Sequence, residues 1–208
     1  VIEAALHAAG FSPIVGVDEA GRGSCAGPIT IAACVLPQVL PPQLAGLDDS
    51  KKLTASRRAK LFPLIQEHAL SWHIVHISAE EIDRFGIQHA NISGMRRAVA
   101  GLDIAASYAL IDGFPVPGLT QPQLPIIGGD AFARCISAAS ILAKHSRDQL
   151  MLDYAADYPG YGFESHKGYG TKVHIDAVRR QGGSPIHRYS YANIARAHGE
   201  WEKERDTQ

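Results

Sequence analysis

Short apolar runs set in polar, glycine-rich sequence mark the first part of the chain. Residues 14–17 (IVGV) are apolar and are followed by Asp18-Glu19. A run this short predicts a buried strand, and Gly21-Arg22-Gly23 behind it predicts a turn. Residues 28–36 (PITIAACVL) predict a second strand, closed by Pro37. The short connection predicts antiparallel pairing. The period then lengthens. Thr54 is placed to cap a helix over 55–70, residues 72–77 predict a third strand, and Ser78 with Glu81 resembles a capping box. Ile92, Met95, Val99, Leu102 and Ala106 fall at helical spacing and predict a helix over 90–106. Residues 108–111 (YALI) predict a strand ending at Asp112-Gly113. The stretch 114–125 holds four prolines and predicts a loop, with one more short strand at 126–127. Asp130 then opens a long helix over 131–155, whose small residues Ser137, Ala138, Ala139, Ser140 and Ala143 allow close packing on a sheet. Beyond it come a glycine- and aromatic-rich loop from Tyr158, a helix over 172–181, a turn at Gly182-Gly183 and a polar tail from Ala192. The layout is α/β: a mixed sheet with helices, then a helical C-terminal region.

The 208 residues suit one domain. Apolar residues make up 46% and charged residues 20%, as in ordinary globular proteins. The net charge of −1, from 20 basic and 21 acidic residues, lends no support to a nucleic-acid binder. It is compatible with one whose acids are gathered at a metal site. Three cysteines, Cys25, Cys34 and Cys135, with no CxxC, point away from a disulfide framework or a zinc site and toward a reducing cytosol. No run approaches a membrane span, and the first ten residues make a poor signal peptide.

Four acids stand out: Asp18, Glu19, Asp112 and Asp130. The first three are expected at strand ends and the fourth at a helix start. Acids at the ends of apolar strands are costly unless compensated. If the strands are neighbours the carboxylates converge, and divalent cations would neutralise them. Such oxygen-rich sites suit Mg²⁺ or Mn²⁺, and two ions together can drive phosphodiester hydrolysis. Taken singly, each acid reads more readily as a turn or cap residue, and Asp130 is a good N-cap for the long helix. Gly21-Arg22-Gly23 could bring backbone N–H groups and a guanidinium to a phosphate or hydroxyl, or be a plain turn. Lys51, in Ser50-Lys51-Lys52, could bind phosphate or be solvated. Tyr169 could stack on a sugar or base, or pack its own loop. His166 and His187 read as structural or backbone-binding.

VGVDEAGRG, AGP, DDSKKLT, EEIDRFGI, MRRAV, LIDG, GDA, AASILAK, SRDQLM, YPGYGF, HKGYGT and PIHR occur in this order. The pattern resembles ribonuclease HII, the type 2 ribonuclease H family, over residues 14–191. The resemblance implies a ribonuclease H-like fold: a central mixed sheet flanked by helices, with a C-terminal helical region. It implies one domain over 1–208, with a core at about 14–157 and a C-terminal loop and helical region at about 158–208. It also implies an endonuclease that hydrolyses RNA in RNA–DNA hybrids and incises 5′ of single ribonucleotides in duplex DNA, leaving 3′-hydroxyl and 5′-phosphate ends. Two Mg²⁺ or Mn²⁺ ions would be held by Asp18, Glu19, Asp112 and Asp130. Gly21, Arg22 and Gly23 match the tripeptide that senses the ribose 2′-hydroxyl, and Tyr169 matches the tyrosine that stacks beside the scissile step. Lys51 would join the substrate contacts. The protein would be a cytoplasmic monomer without membrane contact, acting in ribonucleotide excision repair. Departures from the family pattern are Gly128 in place of a lysine, Ser24-Cys25 in place of Pro-Leu, Phe132-Ala133-Arg134 in place of a more polar stretch, Phe114 in place of an asparagine, and Tyr189-Ser190-Tyr191 in place of Arg-Ser-Phe. Two rivals share part of these residues: a module that binds RNA–DNA junctions without cutting, and a metal phosphoesterase with a small substrate in a closed pocket.

Overall fold

The computed structural model describes residues 2–207, and for residues 48–52 the backbone alone. Its elements are α1 (Ile2–Ala8), β1 (Ile14–Ala20), β2 (Ile29–Val35), a 3₁₀ segment (Pro42–Lys52), α2 (Ala55–His68), β3 (Ser71–Ile77), α3 (Ala79–Phe85), α4 (Ile87–Ala100), β4 (Tyr108–Asp112), β5 (Gln123–Ile126), a 3₁₀ turn (Gly129–Ala131), α5 (Arg134–Asp157), α6 (Phe163–His166), α7 (Lys172–Gln181) and α8 (Ala192–Asp206). They group into two compact units. One comprises the chain up to Ala20, Thr30–Val75 and Asn91–His145; the other comprises Gly21–Ile29, His76–Ala90 and the chain from Ser146.

The first unit is built on a mixed sheet in the order β3-β2-β1-β4-β5. β1 is antiparallel to β2 and parallel to β4, and β4 is parallel to β5. The central β1 and β2 are buried on both faces, as continuous apolar runs require. β1 extends past its apolar run and holds Asp18 and Glu19 near its end, as expected. It runs to Ala20, because β2 keeps pairing: Asp18 lies opposite Ala32 and Glu19 opposite Ile31. The ladder needs only backbone groups, so two acids did not end it. Gly16 explains how α5 reaches the sheet. A Cβ there would stand 2.1 Å from the Cys135 carbonyl carbon, so the helix backbone rests directly on the strand. Ala138, Ala139, Leu142 and Ala143 of α5 then join Cys34, Leu44, Leu61 and Ile65 in one apolar cluster.

Several expected boundaries move. β5 lies mostly inside the expected loop; Pro125 is tolerated because an edge strand leaves one side unpaired. α4 stops at Ala100, so Leu102 and Ala106 lie outside it. The next residue, Gly101, leaves a Cβ only 2.3 Å from the His73 ring, and Asp103 N–H turns to Ser71 Oγ instead of continuing the helix (3.0 Å). Asp130 does not cap α5. It sits in a separate 3₁₀ turn, and α5 begins at Arg134. The expected caps of α2 and α3 are present, with Thr54 accepting from Arg57 N–H and Ser78 from Glu81 N–H. α1, which was not expected, has no buried residue.

The second unit has its own core of Cys25, Ala26, Met151, Tyr161, Phe163, Ala177, Val178, Ile194 and Ala197. The tail from Ala192 is α8, which buries Ile194 and Ala197. All three cysteines are free and buried.

Candidate functional site

The acids belong to the first unit. Val17 pairs with Ile111 in parallel register, so Asp18 and Asp112, one residue on, share a face of adjacent strands, about 4.8 Å apart along the hydrogen-bonding direction. Gly16 and Asp18 also share a face, and α5 covers it. Ser140, one helical turn beyond Ile136, hydrogen-bonds the Asp18 carboxyl. The Glu19 N–H donates to Asp18 Oδ1 (2.7 Å). Burial, then the Asp112 carboxylate, then Glu19 push the Asp18 pKa well above the usual carboxylate range, and these two hydrogen bonds offset only part of that.

Asp112 ends β4 and accepts the Gly129 N–H on Oδ1 (2.6 Å). A Cβ at Gly129 would lie 2.6 Å from Ile136 Cδ1 and 3.2 Å from Ile126 Cβ, so glycine is what fits between strand, helix and carboxylate. Asp130 follows directly and is half-buried. Glu19 is half-buried too, with one carboxylate oxygen closed off from solvent. The four acids therefore arise from one end of the β1–β4 pair and the turn tied to it. Among the described residues, no three histidine, cysteine, aspartate or glutamate side chains stand close enough to hold an ion as they are. The donor chemistry nonetheless fits a hard divalent cation: carboxylate oxygens only, with Asp112 and Glu19 close enough to Asp18 to raise its pKa. A cavity of about 430 Å³ in this unit, lined by Glu3, His7, Leu36, Val39, Arg134 and Cys135, contains none of the four.

Gly21-Arg22-Gly23 and Tyr169 belong to the second unit. Ser24 N–H closes the tripeptide into a turn on the Gly21 carbonyl (3.3 Å). Arg22 Nη2 donates to Gln88 Oε1 (2.7 Å). The Gly168 carbonyl accepts N–H groups from both Cys25 (2.8 Å) and Ala26 (3.2 Å), which ties the segment after the tripeptide to the loop carrying Tyr169. Arg147, fully buried, lies beneath both. It fills the space a Gly21 Cβ would need, 1.9 Å from its Nε, and its guanidinium carbon is 5.8 Å from the Tyr169 ring centroid. Tyr169 keeps 42% of its surface exposed. Lys51, the remaining expected contact, lies outside the residues whose side chains are described.

Behind Tyr169 is a histidine pair. Ser184 N–H donates to His187 Nδ1 (2.9 Å), so His187 carries its proton on Nε2 and donates to His174 Nε2 (3.0 Å). His174 in turn donates from Nδ1 to the Tyr169 carbonyl (2.9 Å). Burial keeps both neutral, lowering His174 to about 4 and His187 to about 3. His166 hydrogen-bonds Tyr161 O and Gly168 N–H, and its ring stacks on His174 with centroids 4.5 Å apart. Sequence reasoning missed Arg147, Arg188, His174 and Ser140. Of these only Ser140 carried a signal: its place among the small residues of the long helix expected to pack on the sheet.

The family model described as Ribonuclease HII matches residues 15–194. The chain belongs to the ribonuclease HII family. Ribonuclease HII of Corynebacterium glutamicum (strain R) is 66% identical over 192 residues, 92% of each chain. That of Mycobacterium bovis (strain ATCC BAA-935 / AF2122/97) is 57% identical over 195 residues, 94% of this chain and 74% of its own. The fold resembles the ribonuclease H2 crystal structure from Pyrococcus horikoshii OT3, with TM-score 0.79 and 24% identity, covering 91% of this chain and 99% of that one. It also resembles Bst-RNase HIII in complex with Mn²⁺, with TM-score 0.73 and 17% identity, covering 92% and 70%. As a ribonuclease HII, the chain is a metal-dependent endoribonuclease that hydrolyses the RNA strand of RNA–DNA hybrids.

Proposed function

We propose that this ribonuclease HII also incises duplex DNA 5′ of single embedded ribonucleotides, with Asp18, Glu19, Asp112 and Asp130 as its metal-holding acids. The observation that supports this most is the pairing of Asp18 with Asp112. Two carboxylates on one face of adjacent strands, one of them buried, carry a repulsion that bound cations would relieve. Two Mg²⁺ or Mn²⁺ ions held there would supply water activation and leaving-oxygen stabilisation. Asp18 would be shared between the two positions, with Asp112 on the water side and Glu19 and Asp130 on the leaving-group side. Ser140 and the Glu19 N–H orient Asp18, and the Gly129 N–H orients Asp112. No side chain need act as a nucleophile.

Gly21, Arg22 and Gly23 read the 2′-hydroxyl, the group that separates ribonucleotide from deoxyribonucleotide. Tyr169 stacks on the neighbouring sugar, and Lys51 contacts phosphate. Contacts to sugar and phosphate predict weak sequence preference. The protein acts as a single type 2 domain and a monomer, in the cytoplasm. The test is a labelled duplex with one ribonucleotide, incubated with Mg²⁺ or Mn²⁺ beside an all-DNA duplex. One cut 5′ of the ribonucleotide, absent from the all-DNA duplex, is the expected result. Cleavage of long hybrids without this cut would overturn the single-ribonucleotide reading.

A further inference from the structure

Arg188 is fully buried, an expensive place for a guanidinium unless its donors are met. Its Nε donates to the Gly27 carbonyl (3.0 Å), Nη2 to the Gly21 carbonyl (2.8 Å) and Nη1 to the Arg22 carbonyl (2.9 Å). Nη1 also reaches the Tyr191 hydroxyl (3.0 Å), which itself donates to the Arg22 carbonyl (2.8 Å). Two consecutive carbonyls of the tripeptide are thus drawn to one buried cation, and each has a second donor, the Ser24 N–H for Gly21 and the Tyr191 hydroxyl for Arg22.

The direction of these carbonyls has a consequence. In a trans peptide the N–H points opposite to the C=O of the same plane. With the Gly21 and Arg22 carbonyls turned to Arg188, the N–H groups of Arg22 and Gly23 are turned away from it. Gly23 is exposed, and a Cβ on it would meet nothing within 4 Å. The reverse orientation would present two carbonyls, which accept hydrogen bonds and repel phosphate oxygens.

We propose that Arg188 and Tyr191 are positioning residues for ribonucleotide recognition. They set the two peptide planes of Gly21-Arg22-Gly23 so that adjacent N–H donors face the ribose 2′-oxygen. This rests on the reading of the tripeptide as the ribose sensor. Arg188 acts through its rigid fork, which lysine cannot reproduce. Tyr191 acts through one hydroxyl, removable with little change in packing.

The experiment measures binding of the full-length protein, in chelator so that nothing is cut, to a DNA duplex with one ribonucleotide and to the same duplex in DNA. The readout is the ratio of the two dissociation constants, with melting temperature measured beside it. Wild type should favour the ribonucleotide. Tyr191→Phe should lower the ratio about threefold, and Arg188→Lys about tenfold or more, while affinity for the all-DNA duplex changes less than about twofold. A wild-type preference that survives intact in Tyr191→Phe and in folded Arg188→Lys overturns the positioning role alone. So does a parallel loss of affinity for both duplexes, which would mark these residues as merely structural. Should Arg188→Lys fail to fold, Tyr191→Phe decides. A wild-type ratio of one overturns the ribose-sensing reading and this inference with it.

Discussion

Asp18 is where stability and activity oppose each other. Its carboxyl holds its proton more tightly in the folded chain than in the unfolded one, through burial and then the charges of Asp112 and Glu19. A group of this kind adds stability at low pH and loses it as pH rises through the folded value. Asp18→Asn keeps the shape and the acceptor for the Glu19 N–H but removes the charge. In chelator it should therefore melt higher than wild type at pH 8, with the gap closing toward pH 4. With Mg²⁺ its cleavage rate should fall by about 100-fold or more, on the scale of removing a transition-state charge stabiliser. Melting curves across pH and a cleavage assay check both halves. A variant that cuts normally would remove Asp18 from the metal site. The sequence marked Asp18 as chemically costly because an acid abuts an apolar run, but nothing local showed that Ser140 would meet it.

Among the elements, α5 and β1 could be read from their composition. The small residues of α5 promised close packing, and Gly16 is where the helix backbone meets the strand. Asp130 could not be placed this way. An Asp before a helical pattern is a natural cap, yet the separate 3₁₀ turn is fixed by the Gly129 N–H to Asp112 bond, a contact across 17 residues. The His174–His187 pair is equally non-local. A buried neutral histidine adds stability above its unfolded pKa of about 6.5, and that stability is lost as pH falls toward its folded value, here about 4 for His174 and about 3 for His187. Asp18 contributes the opposite slope, so the measurement belongs in the Asp18→Asn background. There the melting temperature should drop by several degrees, on the order of a few kcal/mol, between pH 7 and pH 5. Ring shifts followed by NMR should show both histidines still neutral at pH 5. Titration of either near 6.5 would refute the neutral pair.

For the whole molecule, the proposed chemistry and the proposed recognition fall in different compact units. The four acids lie in the sheet-bearing unit, and Gly21, Arg22, Gly23 and Tyr169 in the other. Chelation should accordingly abolish cleavage while leaving the binding preference for a ribonucleotide-containing duplex over DNA. Loss of that preference on chelation would mean that the ions, not the tripeptide, read the ribose. The net charge of −1 gave no hint of a nucleic-acid substrate, because carboxylates for cations cancel basic residues in any whole-chain sum. Among the described residues no helix is long and apolar enough to cross a membrane.

The sequence alone determined that the first two strands pair and which acids are costly, since a short connection, strand and helix periods and charge next to apolar runs are local properties. Motifs in order also carried the family. Tertiary structure decided the rest: that β1 keeps pairing with β2 through Asp18 and Glu19, that Asp130 sits in a separate turn tied to Asp112 by the Gly129 N–H, and that buried arginines hold the loops. Those outcomes depend on backbone groups and side chains far apart in the chain finding one another, which no local period encodes.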